Sequence, residues 1–112
     1  MNTTGWVRGY ISNNSPNDKF VSFVINTIGK EFRLNTAIQL INDTYVIKVG
    51  QYETRISINE AKSLQKTGPY AFDKRVLDSL KEQGLSFLPN RSQYVRYCYG
   101  LIDIASDIEK DI

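Results

Sequence analysis

The sequence predicts an α+β domain: an antiparallel β-meander of about five strands over residues 6–58, followed by about three helices (58–67, 70–83 and 91–108) packed on its apolar face. Three observations carry the prediction. Residues 44–56 read as a hairpin, a helix-start signal stands directly behind it, and apolar residues then recur at helical spacing through the second half of the chain.

The hairpin is the clearest element. Tyr45, Ile47 and Val49 alternate with Val46 and Lys48, and after Gly50-Gln51 the alternation resumes in Tyr52, Thr54 and Ile56 against Glu53 and Arg55. A two-residue loop with glycine first suits a type II′ turn, whose twist matches that of the strands it joins. Val49 then faces Tyr52, Ile47 faces Thr54 and Tyr45 faces Ile56, with Lys48 opposite Glu53 on the other side. One apolar and one charged face mark a half-buried antiparallel pair. Behind it, Ser57-Ile58-Asn59-Glu60 fits a capping box: the Ser57 hydroxyl accepts from the Glu60 amide, and the Glu60 carboxylate reaches back to the Ser57 amide.

Upstream, Trp6, Arg8 and Tyr10 alternate with Val7, Gly9 and Ile11 as a first strand, with Gly9 marking a bulge or a close backbone approach. Residues 12–18 are all turn formers and read as a loop. Residues 19–26 read as a second strand, with Val21, Phe23 and Ile25 on one face and Phe20, Ser22 and Val24 on the other. A turn at Ile28-Gly29 sets Ile25 against Phe32 and Phe23 against Leu34, opening a long third strand over residues 31–41. Asn42-Asp43 then sets Leu40 against Tyr45 and Ile38 against Ile47. A short helix over residues 36–41 is the rival reading, since Ala37 and Ile41 sit four apart. Phe23, Ile25, Phe32, Leu34, Ile38, Ile47 and Ile56 are thereby expected on one buried sheet face, where truncating Phe23 or Phe32 to alanine costs about 3 to 5 kcal/mol.

After the capping box, Ile58, Ala61 and Leu64 follow helical spacing until Gly68-Pro69. Phe72, Val76, Leu77 and Leu80 form the stripe of a second helix that Gly84 closes. Leu85 to Pro89 is an apolar connector. Asn90, with Gln93 three residues on, caps a third helix whose face is Tyr94, Val95, Cys98, Leu101, Ile102, Ala105 and Ile108.

At 112 residues the chain is expected to be a single domain, 1–112, able to bury about 65% of its unfolded surface. The hydrophobic content of 41% and charged content of 23% are those of a globular protein rather than a disordered one. A net charge of +2 permits nucleic-acid contact without arguing for it. The single cysteine, Cys98, forms no internal disulfide and fits a reducing compartment. Met1 to Gly5 lack the pattern of a secretory signal, and no run approaches the roughly 20 apolar residues of a membrane span, so a cytoplasmic location and no membrane partner are expected.

Enzymes are the class most easily discounted. The chain has no histidine, hence neither the commonest general base nor the commonest metal ligand. It has no cysteine cluster, no P-loop and no Gly-x-Ser-x-Gly elbow. Asp103 with Asp107 and Glu109 with Asp111 read as a solvated face and terminus. The expectation is a chain without catalytic, cofactor or metal sites.

Nucleic-acid binding is the alternative reading. Trp6, Arg8, Tyr10 and Lys19, with Phe20, interleave aromatic and basic residues around a polar loop, the composition of a surface that stacks bases and tracks a backbone. Val7-Arg8-Gly9-Tyr10-Ile11 and Phe20-Val21-Ser22-Phe23 loosely resemble the opening strands of an OB-fold, which implies such a surface. The run Arg91-Ser92-Gln93-Tyr94-Val95-Arg96 resembles the second-helix start of ribbon-helix-helix repressors. The longer connector and the lack of that family's DNA-reading strand just before its second helix argue against membership.

The favoured reading is a small protein-binding module: an adaptor, inhibitor or subunit. Small phage or mobile-element proteins that block a host protein also fit this description. The chain has seven tyrosines and five phenylalanines, more than the expected core needs, and Tyr97 and Tyr99 lie about 200° apart on a helix, so one of them faces outward. Arg91 and Arg96 stand at the positive end of the third helix and Asp103 and Asp107 at its negative end, against the macrodipole. Arg91, Tyr94, Arg96, Tyr97 and Tyr99 are therefore expected to form a binding edge for a partner's carboxylate or phosphate, unless nearby acids or carbonyls of the chain occupy the arginines. Nucleic acid and self-association stay open as partners.

Overall fold

The computed structural model describes residues 16–101, and the class is α+β with three strands and four helices among them. In chain order these are α1 (Asn17–Phe32), β1 (Thr36–Ile41), β2 (Thr44–Val49), β3 (Tyr52–Ser57), α2 (Ile58–Thr67), α3 (Ala71–Glu82) and α4 (Gln93–Cys98). The strands form an antiparallel sheet in the order β1-β2-β3, with α1, α2 and α3 on its inner face and α4 packed on α3.

Both hairpins have the register that the alternation predicts. Leu40 pairs with Tyr45 and Ile38 with Ile47 across the first turn, while Tyr45 pairs with Ile56 and Lys48 with Glu53 across the second. Asn42 and Asp43 both take positive φ, at 49° and 61°, as a type I′ turn requires. Gly50 has φ of 59° while Gln51 is not among the positive-φ residues, the type II′ pattern. Tyr45, Ile47, Val49, Thr54 and Ile56 are buried on the inner face. On the outer face the central-strand Val46 is also buried, with Gln39 and Arg55 as its cross-strand neighbours.

The largest departure lies upstream. Residues 19–26 are not a strand, and residues 28–29 are not a turn: both belong to α1. The buried set Phe20, Val21, Val24, Ile25 and Ile28 recurs at i, i+1, i+4, i+5 and i+8, a helical stripe, which leaves Phe23 on another side at 39% exposure. Phe23 therefore does not lie on the buried sheet face, and the likeness to an OB-fold strand at residues 20–23 does not hold. Ile25 is buried, but from the helix; Phe32 and Leu34 pack on the core from the end of α1 and the segment after it.

Gly29 matters for packing rather than for a turn. A Cβ there would stand 2.7 Å from Thr36 Cγ2 and 3.0 Å from the Leu34 carbonyl, so its absence lets α1 approach the start of β1. Arg33 takes the left-handed conformation (φ 56°), and the Leu34 amide bonds the Gly29 carbonyl at 2.9 Å, a Schellman closure. The third strand is accordingly confined to Thr36–Ile41, and that segment is strand rather than helix.

Behind the sheet, Ser57 caps α2 by accepting from the Glu60 amide at 3.1 Å. The Glu60 carboxylate accepts from Arg75 Nε of α3 at 3.0 Å instead of completing the box. Phe20 of α1 meets Phe72 of α3 edge-on, with centroids 6.0 Å apart. Tyr45 donates to Asn17 Oδ1, and Asn17 Nδ2 donates to Gln65, tying α1, β2 and α2 together. Ser92, not Asn90, caps α4. The expected 91–108 helix is six residues long within the described region, because Gly100 at φ 68° opens a second Schellman closure in which the Leu101 amide bonds the Arg96 carbonyl at 2.9 Å. No helix among the described residues is long and apolar enough to cross a membrane.

Candidate functional site

The richest side-chain cluster is built by α4, the connector before it and one side of α3. Val95 and Cys98 are buried and fix α4 on the core, so Tyr94 and Tyr97 stand on its flanks and Tyr99 at its C-cap. Each is held by another element. Tyr94 donates its hydroxyl to Asp73 of α3, and Tyr99 donates to Asp78 Oδ1, five residues further along that helix, at 2.8 Å. Tyr97 stacks on Tyr70, with rings 5.4 Å apart and 12° from parallel, and Tyr70 also touches the Tyr94 ring. All three tyrosines are partly buried, so neither Tyr97 nor Tyr99 is turned fully outward.

The arginines find partners within the chain. Arg91 Nε donates to Glu31 Oε2 at 2.7 Å, its Nη2 donates to the Glu31 carbonyl, and its guanidinium lies 4.5 Å from the centroid of Phe32. Ser92 donates to the other Glu31 oxygen at 3.0 Å. The anion expected at this end of the helix is thus the chain's own Glu31, from the last turn of α1. Arg96 Nε donates to the Leu101 carbonyl and helps close α4.

The connector, expected only as an apolar link, supplies further rings to the cluster. The Phe87 ring lies between Phe32 (5.1 Å) and Tyr99 (6.3 Å), making a continuous aromatic ridge from α1 to α4. Lys81 Nζ sits 5.0 Å from the Phe87 centroid and 5.4 Å from that of Tyr99, within cation–π range of both. Lys74 Nζ lies 5.5 Å from the Tyr99 ring and 2.8 Å from Asp78 Oδ2. In the same connector Leu88 is 69% exposed, and Leu101, two residues past Tyr99, is 47% exposed. The available signal was an apolar run in a segment that belongs to no helical stripe.

The electrostatics favour keeping Tyr99 in place. Burial pushes its phenol well above the usual tyrosine range, and the hydrogen bond to Asp78 with that carboxylate's charge adds to the shift. For Asp78, burial works upward, but hydrogen bonds from Lys74 and Tyr99 and the charges of Lys74 and Lys81 outweigh it, leaving its pKa lowered. A lowered carboxyl contributes stability above its unfolded pKa of about 4 that is lost as pH falls through the folded value; a raised phenol contributes below about 10 and loses that contribution as pH rises. Tyr99 should therefore stay anchored between those limits. An NMR titration should find the Asp78 carboxyl ionising below the ordinary aspartate range, and a midpoint at or above that range would contradict the arrangement.

Of the nucleic-acid set, Lys19 is exposed on α1, while Trp6, Arg8 and Tyr10 lie outside the described residues, as do Asp103 and Asp107. Among the described residues no three His, Cys, Asp or Glu side chains are grouped to hold a metal. No protein-family model matches the chain, and no curated protein or solved structure matches it either.

Proposed function

We propose that the chain is a small non-enzymatic protein-binding module, of the adaptor, inhibitor or subunit kind, whose partner docks on the face made by α4, the connector at residues 85–90 and the adjoining side of α3. The observation that carries the reading is the fixed ridge Phe32–Phe87–Tyr99, with Lys81 over its rings and exposed Leu88 in the same connector. Aromatic rings already locked by hydrogen bonds and stacking lose little entropy on binding, the property of anchor residues at interfaces. Tyr94, Tyr97 and Tyr99 act here as rigid walls rather than as free arms, and Arg91 and Arg96 hold the platform in shape.

The partner's chemistry follows from the charges. Lys81 makes no ion pair among the described residues, whereas Lys74 and Arg91 are matched to Asp78 and Glu31. An apolar side chain meeting Leu88, with a carboxylate beside it to meet Lys81, suits the surface best. With the chain as bait in a nuclease-treated extract, a specific protein should be retained, and Lys81→Glu combined with Leu88→Glu should weaken retention about tenfold or more while circular dichroism stays unchanged. Retention that depends on nucleic acid, or that the double variant leaves intact, would overturn the reading.

A further inference from the structure

The two edges of the sheet are treated differently. On β3, the Gln83 side chain accepts from the Glu53 amide at 3.0 Å, Thr54 bonds Ser79 at 2.8 Å, and Glu53 pairs with Arg55, so α3 and charge both protect that edge. On β1 none of these devices is present among the described residues. Its six residues, Thr36–Ile41, carry no charge and no proline, and Leu40 and Ile41 are 57% and 49% exposed. Leu40 belongs to the inner face by register, yet no helix shields it fully.

We infer that β1 is a self-association edge, pairing antiparallel with β1 of a second copy to make a continuous six-stranded sheet. The backbone selects the register. Ile41 and Thr44 flank a two-residue loop and therefore exchange both hydrogen bonds, and the Asn35 carbonyl accepts from Gly50. The odd-numbered residues thus turn their backbone groups toward β2, and Thr36, Ile38 and Leu40 turn theirs outward. A two-fold axis at Ile38 lets Ile38 exchange bonds with its own copy and Thr36 with Leu40, while the inner faces of both sheets stay on one side.

Charge argues for a second copy as the occupant. Arg33 stands three residues before β1 and Asp43 two residues after it, so an antiparallel copy about Ile38 brings the positive end of one edge to the negative end of the other, and symmetry repeats this at the far end. Both residues are exposed, and neither forms an ion pair among the described residues. The strand ends are therefore oppositely charged and its middle neutral, which makes the edge complementary to itself. The same contact covers Leu40.

Sedimentation of the full chain across a concentration series tests this. The native protein should show a monomer–dimer equilibrium, and Leu40→Lys or Arg33→Asp should each weaken it about tenfold or more with helical content unchanged. The register is tested by mixing chains carrying Ala37→Cys with chains carrying Gln39→Cys. These two exposed positions form a non-hydrogen-bonded pair with Cα atoms about 4.5 Å apart, near enough for a disulfide. Rapid oxidation of the mixture to a heterodimer, faster than either chain alone, supports the pairing. A chain that stays monomeric throughout, a dimer indifferent to Leu40→Lys, or a mixture that oxidises no faster than its components overturns it.

Discussion

Replacing Phe20 with alanine should destabilise the fold by about 3 to 5 kcal/mol, the range of a fully buried aromatic ring. Phe20 is fully buried, stands on the inner stripe of α1 and meets Phe72 of α3 edge-on, so its loss removes both apolar burial and an aromatic pair at the junction of two helices. Well-packed surroundings relax only partly around such a cavity. Three residues on, Phe23→Ala should cost distinctly less, because that ring is 39% exposed. Denaturant melts of the two variants distinguish helix from strand at residues 19–26. Equal losses would return Phe23 to a buried sheet face.

The second large effect is expected from Tyr94→Phe, at about 1.5 to 3 kcal/mol. Tyr94 donates its hydroxyl to Asp73, whose side chain is fully buried on α3. Removing the donor leaves ring packing nearly unchanged but strips a hydrogen bond from a carboxyl that water cannot reach, which is more costly than losing an exposed contact. Tyr99→Phe should cost less, since Asp78 retains Lys74 and is itself partly exposed. Paired urea melts measure both. A Tyr94→Phe loss no larger than that of Tyr99→Phe would mean that the Asp73 contact is not what seats α4.

The contrast between the hairpins and α1 marks what was readable from sequence. Gly50-Gln51 and Asn42-Asp43 fix register through local backbone chemistry, so alternation around them leads to the observed pairing. Residues 19–28 carry apolar side chains compatible with both periods, and their valines and isoleucines have high strand propensity. What decides is tertiary: Phe20, Val21, Val24, Ile25 and Ile28 become one stripe against the sheet and α3. Local signals for the helix did exist, with Asp18 in its first turn and Lys30 in its last, each complementing the macrodipole.

At the candidate site, the residue types were legible and their partners were not. Arg91 reads from sequence as an unmatched cation at a helix start, yet Glu31, sixty positions earlier, supplies its carboxylate. Asp73 and Asp78 lie five apart on α3, and that spacing alone does not say that they meet Tyr94 and Tyr99. Gly100 falls inside the expected helix over residues 91–108, whereas its positive φ ends α4 and leaves Leu101 exposed. Such long-range closures depend on how elements pack, which one-dimensional periodicity does not encode.

The central claim, that the connector beside α4 is where a protein partner docks, is tested most directly by placing a photo-crosslinking amino acid at Leu88 and, as a control, at exposed Lys66 on α2. After irradiation in nuclease-treated extract, the Leu88 position should give a discrete adduct with one protein, reduced by Lys81→Glu, while Lys66 gives none. Adducts of equal yield at both positions, or none at Leu88, would contradict it.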